Sequence, residues 1–235
     1  MYGTRETGSI ISDYVVSSYT PTLTALLDQS QPVAQPDFQM LTVSVPEPKH
    51  GTRIPGTDAE VKMIQDLAKV NGVRCVNLTK EDATVKQVVR EMKESNWIHL
   101  ACHGKQNFQN SMQSSILLQD GNLELSAMVG LSLPKADFAF LSACQTATGD
   151  EKLAEESVHL AAGMLMLGCK GVIATMWSIS DNDAPTVAED VYRHMLKDGK
   201  PNRKEAAYAL HEAVKRLRDS GADFMAWVPF IHIGR

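Results

Sequence analysis

Two residue types able to do chemistry stand at the ends of apolar runs. The run Ile98-His99-Leu100-Ala101-Cys102 delivers His103, followed at once by Gly104. The run from Ala136 to Ser142 leads through Ala143 to Cys144, and then to Gln145, Thr146, Ala147, Thr148 and Gly149. A thiol and an imidazole brought together make a nucleophile–base pair. The thiolate attacks a carbonyl carbon, and imidazole accepts and returns a proton near neutral pH. Gly104 allows close backbone approach to a ligand, and its N–H and that of Cys144 suit an oxyanion hole. A helical turn starting near Cys144 would depress the thiol pKa. Spacing alone leaves plainer readings open: Cys144 as a buried core thiol, and His103 as a hydrogen-bonded loop histidine. The small polar loop after Cys144 favours the chemical reading, because a structural cysteine does not need it.

Metal binding competes for the same residues. His99, Cys102 and His103 are close in the chain, with Cys75 on a neighbouring predicted strand. Strand alternation sends His99 and Cys102 to opposite faces, and there is neither a C-x-x-C pair nor an H-E-x-x-H. Phosphate-loop and dinucleotide glycine patterns are missing as well. No metal and no cofactor is expected. His99 shares a face with Ala101 and His103, where it either orients His103 or lines the cleft, or else packs inside the sheet.

The elements that must position these residues alternate in kind. Helices are predicted from residue 57 or 58 to Val70, from Thr79 to about Glu94, and over 151–168, Asp183–Leu196 and Arg203–Leu217. Thr57 or Asp58 is expected to cap the first, and Thr79, with Asp82, the second. Strands are predicted at Met40–Val45, Val73–Leu78, Trp97–Cys102, Ala136–Ser142, Val172–Trp177 and Trp227–Ile233, with a further one over Ile10–Ser18. Continuous apolar runs flanked by helices mark central parallel strands. The pattern predicts an α/β fold, a three-layer α-β-α sandwich with a mostly parallel central sheet. Residues 105–135 read as turns, two short strands and a short helix, a segment able to close over a cleft. No clean boundary divides the chain, so 1–235 is expected to be one domain with 1–55 less regular.

Charge and hydropathy exclude other classes. The 235 residues carry 23 Lys and Arg against 28 Asp and Glu, a formal net charge of −5, with no basic surplus for direct nucleic-acid binding. The longest apolar stretch, Gly163 to Trp177, contains Lys170 and is too short to span a bilayer. The first residues lack the basic start and apolar core of a signal peptide. Four cysteines do not make a disulfide scaffold in a chain this long. A cytoplasmic monomer that does not bind membranes is the default expectation.

The motifs resemble those of a known family. His99-Leu100-Ala101-Cys102-His103-Gly104 matches the H-x-A-x-H-G signature of CHAT domains, caspase-related domains often found after tetratricopeptide repeats. Phe140 to Gly149, FLSACQTATG, resembles their L-S-A-C-x-T-G-x-G, with Ala147 where the family usually has glycine. Ile54 to Val61, IPGTDAEV, resembles L-P-G-A-x-x-E-V. Glu156 to Ala184 resembles a further long stretch, and Tyr19-Thr20-Pro21-Thr22 resembles the Y-x-P-S segment.

This resemblance implies a caspase-like fold and a cysteine endopeptidase of the caspase, separase and gingipain clan. His103 and Cys144 would be the dyad, and the Gly104 N–H would lie in the oxyanion hole. A protein substrate is implied, as is a role in regulated defence or cell death under an N-terminal or separate sensor. The family's leading segment is missing or truncated here, so a domain taken from a longer protein is expected. The pocket for the residue before the cut would draw on the loop Trp177 to Asp183, where Asp181 or Asp183 is placed to pair with a basic side chain. Asp183 equally suits the start of the next helix, and Trp177 either walls the pocket or caps the core. The alternative is a caspase-like interaction or scaffold domain without catalysis, and another thiol enzyme such as an acyl hydrolase needs only the dyad.

Overall fold

The computed structural model describes residues 11–20, 37–48, 52–105, 107, 109–142, 157–177, 179 and 183–235. Its strands are β1 (Gln39–Ser44), β2 (Arg74–Thr79), β3 (Trp97–Ala101), β4 (Gly104–Lys105), β5 (Ser115–Leu117), β6 (Asn122–Glu124), β7 (Phe138–Ser142), β8 (Gly171–Thr175) and β9 (Phe230–Gly234). Its α-helices are α1 (Gly56–Val70), α2 (Val85–Glu94), α3 (Leu125–Val129), α4 (Ser157–Met166), α5 (Asp183–Met195), α6 (Ala206–Asp219) and α7 (Phe224–Trp227).

A six-stranded sheet runs in the order β2-β1-β3-β7-β8-β9. All neighbours are parallel except β8 and β9. The expected α/β sandwich is therefore present. Strands β1, β3, β7 and β8 are buried along their whole length, which is why β7 and β8 read as nearly continuous apolar runs. β2 lies at an edge and carries Arg74 and Asn77 there.

Strand alternation sorts the core into two layers. Ile98 and Leu100 of β3 pack with Val88 and Met92 of α2 and with Leu160 and Met164 of α4. Trp97 packs on the other face with Ile64 of α1, Tyr192 of α5 and Leu210 of α6. Its ring meets Phe38 and Phe138 edge-on, with centroids 5.3 and 5.4 Å apart. Full burial of such a side chain contributes about 1.5–3 kcal/mol.

Four local expectations differ from the structure. Neither Thr57 nor Asp58 caps α1, whose cap position is Pro55. The Thr57 hydroxyl instead donates to the Ile54 carbonyl at 2.9 Å, and Asp58 accepts from Ser44 at 2.7 Å and Thr79 at 3.3 Å. Asp58 thus ties the helix start to the ends of β1 and β2. Residues Lys80–Asp82 form only a 3-10 turn, and α2 starts later, with Thr84 accepting from the Gln87 N–H. Ile11–Asp13 is a 3-10 turn rather than part of a strand, and Tyr19 alone bridges to Ile233. Phe224–Trp227 is a helical turn capped by Asp223, so β9 begins at Phe230. Residues after His103 form a small antiparallel sheet, β4-β5-β6, with Ile116 and Leu123 buried.

Candidate active site

The chain visits β1, then β2, then returns to β3 on the other side of β1. The strand order reverses between β1 and β3, and in open α/β sheets ligands bind outside the carboxyl ends at such a point. His103 follows the end of β3, and Thr52 lies in the loop that follows β1.

His103 is 2% exposed. Its Nε2 lies 2.7 Å from the Thr52 carbonyl oxygen, with the Thr52 hydroxyl at 3.4 Å. A carbonyl only accepts, so Nε2 carries the ring proton and donates it. This fixes the tautomer and makes Nδ1 the basic nitrogen of the neutral ring. The backbone of the same residue is also fixed, because the His103 carbonyl accepts from the Leu117 N–H at 2.8 Å. Gly104 is buried and pairs with Ile116 in the small sheet.

Strand β7 lies directly beside β3, with Ala101 opposite Ser142. His103 and Cys144 each follow one of these paired residues by two positions in the sequence. Cys144, the loop 145–149 and Asp181 lie outside the described residues. Trp177 is half-buried just after β8, and its indole Nε1 donates to the Met225 carbonyl at 3.1 Å, so its polar edge faces α7. Asp183 is the first residue of α5, half-buried, where a carboxylate complements the helix dipole.

His99 is packed inside the sheet at 0% exposure, against Phe140 and Tyr192. Its Nε2 lies 3.2 Å from Oε1 of Glu60, without the alignment of a hydrogen bond. Its Nδ1 lies 3.3 Å from the Tyr192 hydroxyl. Burial, and then the Glu60 carboxylate, push the Tyr192 phenol well above its ordinary value, so it stays a neutral hydroxyl.

Two participants, Thr52 and Glu60, were not among the candidate site residues, although Glu60 stands at the acid of the Ile54–Val61 motif. Thr52 acts through its backbone carbonyl, which no side-chain pattern reports. Glu60 lies in the segment read as a helix start. Its signal was its place on the apolar stripe of α1, with buried Ile64 and Ala68 one and two turns further on.

The remaining described thiols are poor nucleophiles. Burial, and then Asp137, push Cys169 up to about 12. Burial likewise raises Cys75, and Cys102 is buried. Among the described residues no three His, Cys, Asp or Glu side chains gather to hold a metal ion. A separate cavity between α6 and β9 is lined by Tyr19, Leu210, His211, Arg218 and Trp227, and includes neither His103 nor Thr52.

The family model described as CHAT domain matches residues 1–235. The chain belongs to the CHAT family. No curated protein matches this CHAT domain. Its fold is similar to that of several solved structures. One is the Arg-specific cysteine proteinase gingipain R, with a TM-score of 0.57 at 14% identity over 83% of this chain and 46% of that one. The complex of the Porphyromonas gingivalis RgpB pro- and mature domains gives 0.55 at 12% identity over 83% and 47%. The Saccharomyces cerevisiae separase–securin complex gives 0.52 at 15% identity over 85% and 12%. The CHAT domain thus shares the fold of these proteins and spans less than half of their length. None of its described helices is long and apolar enough to cross a membrane.

Proposed function

We propose that this CHAT domain is a cysteine endopeptidase that hydrolyses peptide bonds in a protein substrate. The observation that carries the reading is the His103 imidazole at the strand-order reversal, held through Nε2 by the Thr52 carbonyl so that Nδ1 is the base. In this reading Nδ1 takes the Cys144 thiol proton and the thiolate attacks the scissile carbonyl. Backbone N–H groups that include Gly104 hold the oxyanion. Collapse of the tetrahedral intermediate expels the amine, which receives the proton from His103. Water, deprotonated by the same imidazole, then hydrolyses the acyl-enzyme and releases Cys144.

The segment from Trp177 to Asp183 is assigned to the pocket for the residue before the cut, with Asp181 as the partner of a basic side chain. Regulation by a sensor module and action in the cytoplasm belong to the same proposal. Acid quenching during turnover of a peptide ester, followed by intact-mass measurement, tests the chemistry. An acyl adduct on Cys144 that disappears in Cys144→Ala is expected. A folded enzyme that accumulates no adduct and releases no product would leave the scaffold reading in its place.

A further inference from the structure

We propose that Glu60, His99 and Ser142 form a buried positioning device that holds in fixed relation the two strands that precede His103 and Cys144 in the sequence. The inference rests on the peptidase reading above. Glu60 projects from α1 into the sheet at 1% exposure. Its Oε2 accepts from the Ser142 hydroxyl at 3.1 Å, and its Oε1 faces His99 Nε2 at 3.2 Å. One carboxylate therefore touches neighbouring strands, β3 through His99 and β7 through Ser142. His99 precedes His103 by four positions, and Ser142 precedes Cys144 by two.

Packing does not account for this arrangement. Removing a carboxylate from water is costly, and a hydrophobic side chain of similar volume usually fills such a site at lower cost. The polar groups facing the carboxylate are themselves buried, His99 at 0% and Ser142 at 3%, and Tyr192, which pairs with His99, is buried at 0%. The tautomer that suits His99 has Nε2–H toward Glu60 and Nδ1 accepting from Tyr192. Two hydrogen bonds, Tyr192–His99 and Ser142–Glu60, joined by the 3.2 Å His99–Glu60 contact, then link α5, β3, α1 and the end of β7. Such a chain resists sliding of β3 against β7 more specifically than apolar contacts do. A nucleophile and base displaced by about 1 Å lose on the order of a hundredfold in rate.

These are positioning residues, since none of them is placed against a substrate. The test is the rate of Cys144 alkylation by iodoacetamide from pH 5 to 9. Peptide mass spectrometry of the whole chain separates Cys144 from the other thiols. The set is wild type, His103→Gln, Glu60→Gln, Ser142→Ala, Ser142→Thr and the Glu60→Gln/Ser142→Ala double variant, each checked for folding by circular dichroism and melting. His103→Gln should abolish the enhanced alkylation at acid and neutral pH. Folded Glu60→Gln and Ser142→Ala should each lose about tenfold at neutral pH, as for a displacement smaller than about 1 Å. The double variant should lose no more than the worse single one, and Ser142→Thr should retain the wild-type profile.

A wild-type profile in folded Glu60→Gln and Ser142→Ala, with loss in His103→Gln, overturns the positioning role and leaves the dyad intact. No change in His103→Gln removes the dyad, and the positioning role with it. Should Glu60→Gln not fold, Ser142→Ala decides alone, because it removes one hydroxyl and leaves the Glu60–His99 contact in place.

Discussion

The Nε2 atom of His103 lies 2.7 Å from the carbonyl oxygen of Thr52, a link between the segments that follow β3 and β1. It anchors the ring at the point where the strand order reverses, and it assigns the basic nitrogen without a carboxylate. The imidazole is thereby oriented by backbone, which substitution cannot easily remove.

Replacing the ring tests its role. His103→Gln should lower kcat by about 10²–10⁴-fold, the usual worth of a positioned general base. KM should change little, because in the proposed mechanism the ring acts on the thiol proton rather than on substrate binding. Steady-state kinetics on one peptide substrate would check this, and a KM effect with unchanged kcat would contradict it.

The thiols should separate by reactivity. Cys169, raised to about 12 by burial and by Asp137, has almost no thiolate at pH 8. Cys75 is raised in the same direction, by burial. Brief iodoacetamide treatment of the folded chain should mark Cys144 and spare Cys169, as read by peptide mass spectrometry. Comparable labelling of both would contradict the account.

Acid should destabilise the fold through His232. Burial, and then the Arg203 guanidinium, depress this imidazole to about 4, below its unfolded value of 6.5. Its Nδ1 lies 2.7 Å from the Ser18 hydroxyl. The unfolded chain binds the extra proton first as pH falls, so the stability from this group is full above 6.5 and is lost toward 4. The loss amounts to roughly 3 kcal/mol. Urea unfolding at pH 7 and pH 4.5 should show it, and His232→Asn should flatten the slope.

Gly234 should not accept a side chain. Its φ of +113° is strained for any L residue, and a Cβ there would press on the Lys170 carbonyl across the β8–β9 edge. Its N–H also donates to the Tyr19 carbonyl at 2.8 Å, docking the N-terminal segment. Gly234→Ala should cost roughly 2–4 kcal/mol. For a chain of this length the melting temperature should fall by about 5–15 °C.

The sheet was readable because its central strands are buried on both faces. Ile98 to Cys102, Ala136 to Ser142 and Val172 to Thr175 are apolar without alternation, and helical stripes lie between them. The start of α2 was misread because Thr79 and Asp82 imitate a capping box, whereas Thr84 makes the bond. Thr57 and Asp58 were misread because a residue suited to capping serves as well for tying a helix to strand ends. Tyr14, Val15 and Val16 look like strand residues, but that segment is exposed and pairs only at Tyr19.

At the site, His103 and Cys144 stood out by residue type at strand ends. Thr52 did not, because its contribution is a carbonyl. Glu60 was legible as the acid of the Ile54–Val61 motif and as an acid on an apolar stripe, and its partners His99 and Ser142 come from strands far away in the sequence.

The most direct measurement is digestion of a diverse peptide library by the purified chain, read by mass spectrometry beside Cys144→Ala and His103→Gln. Cleavage by the wild type, absent from the first variant and reduced at least a hundredfold in the second, is the predicted result. Enrichment of basic residues before the cut would support the assignment of Asp181. Cleavage that persists in Cys144→Ala, or a folded wild type that cuts nothing, would contradict the account.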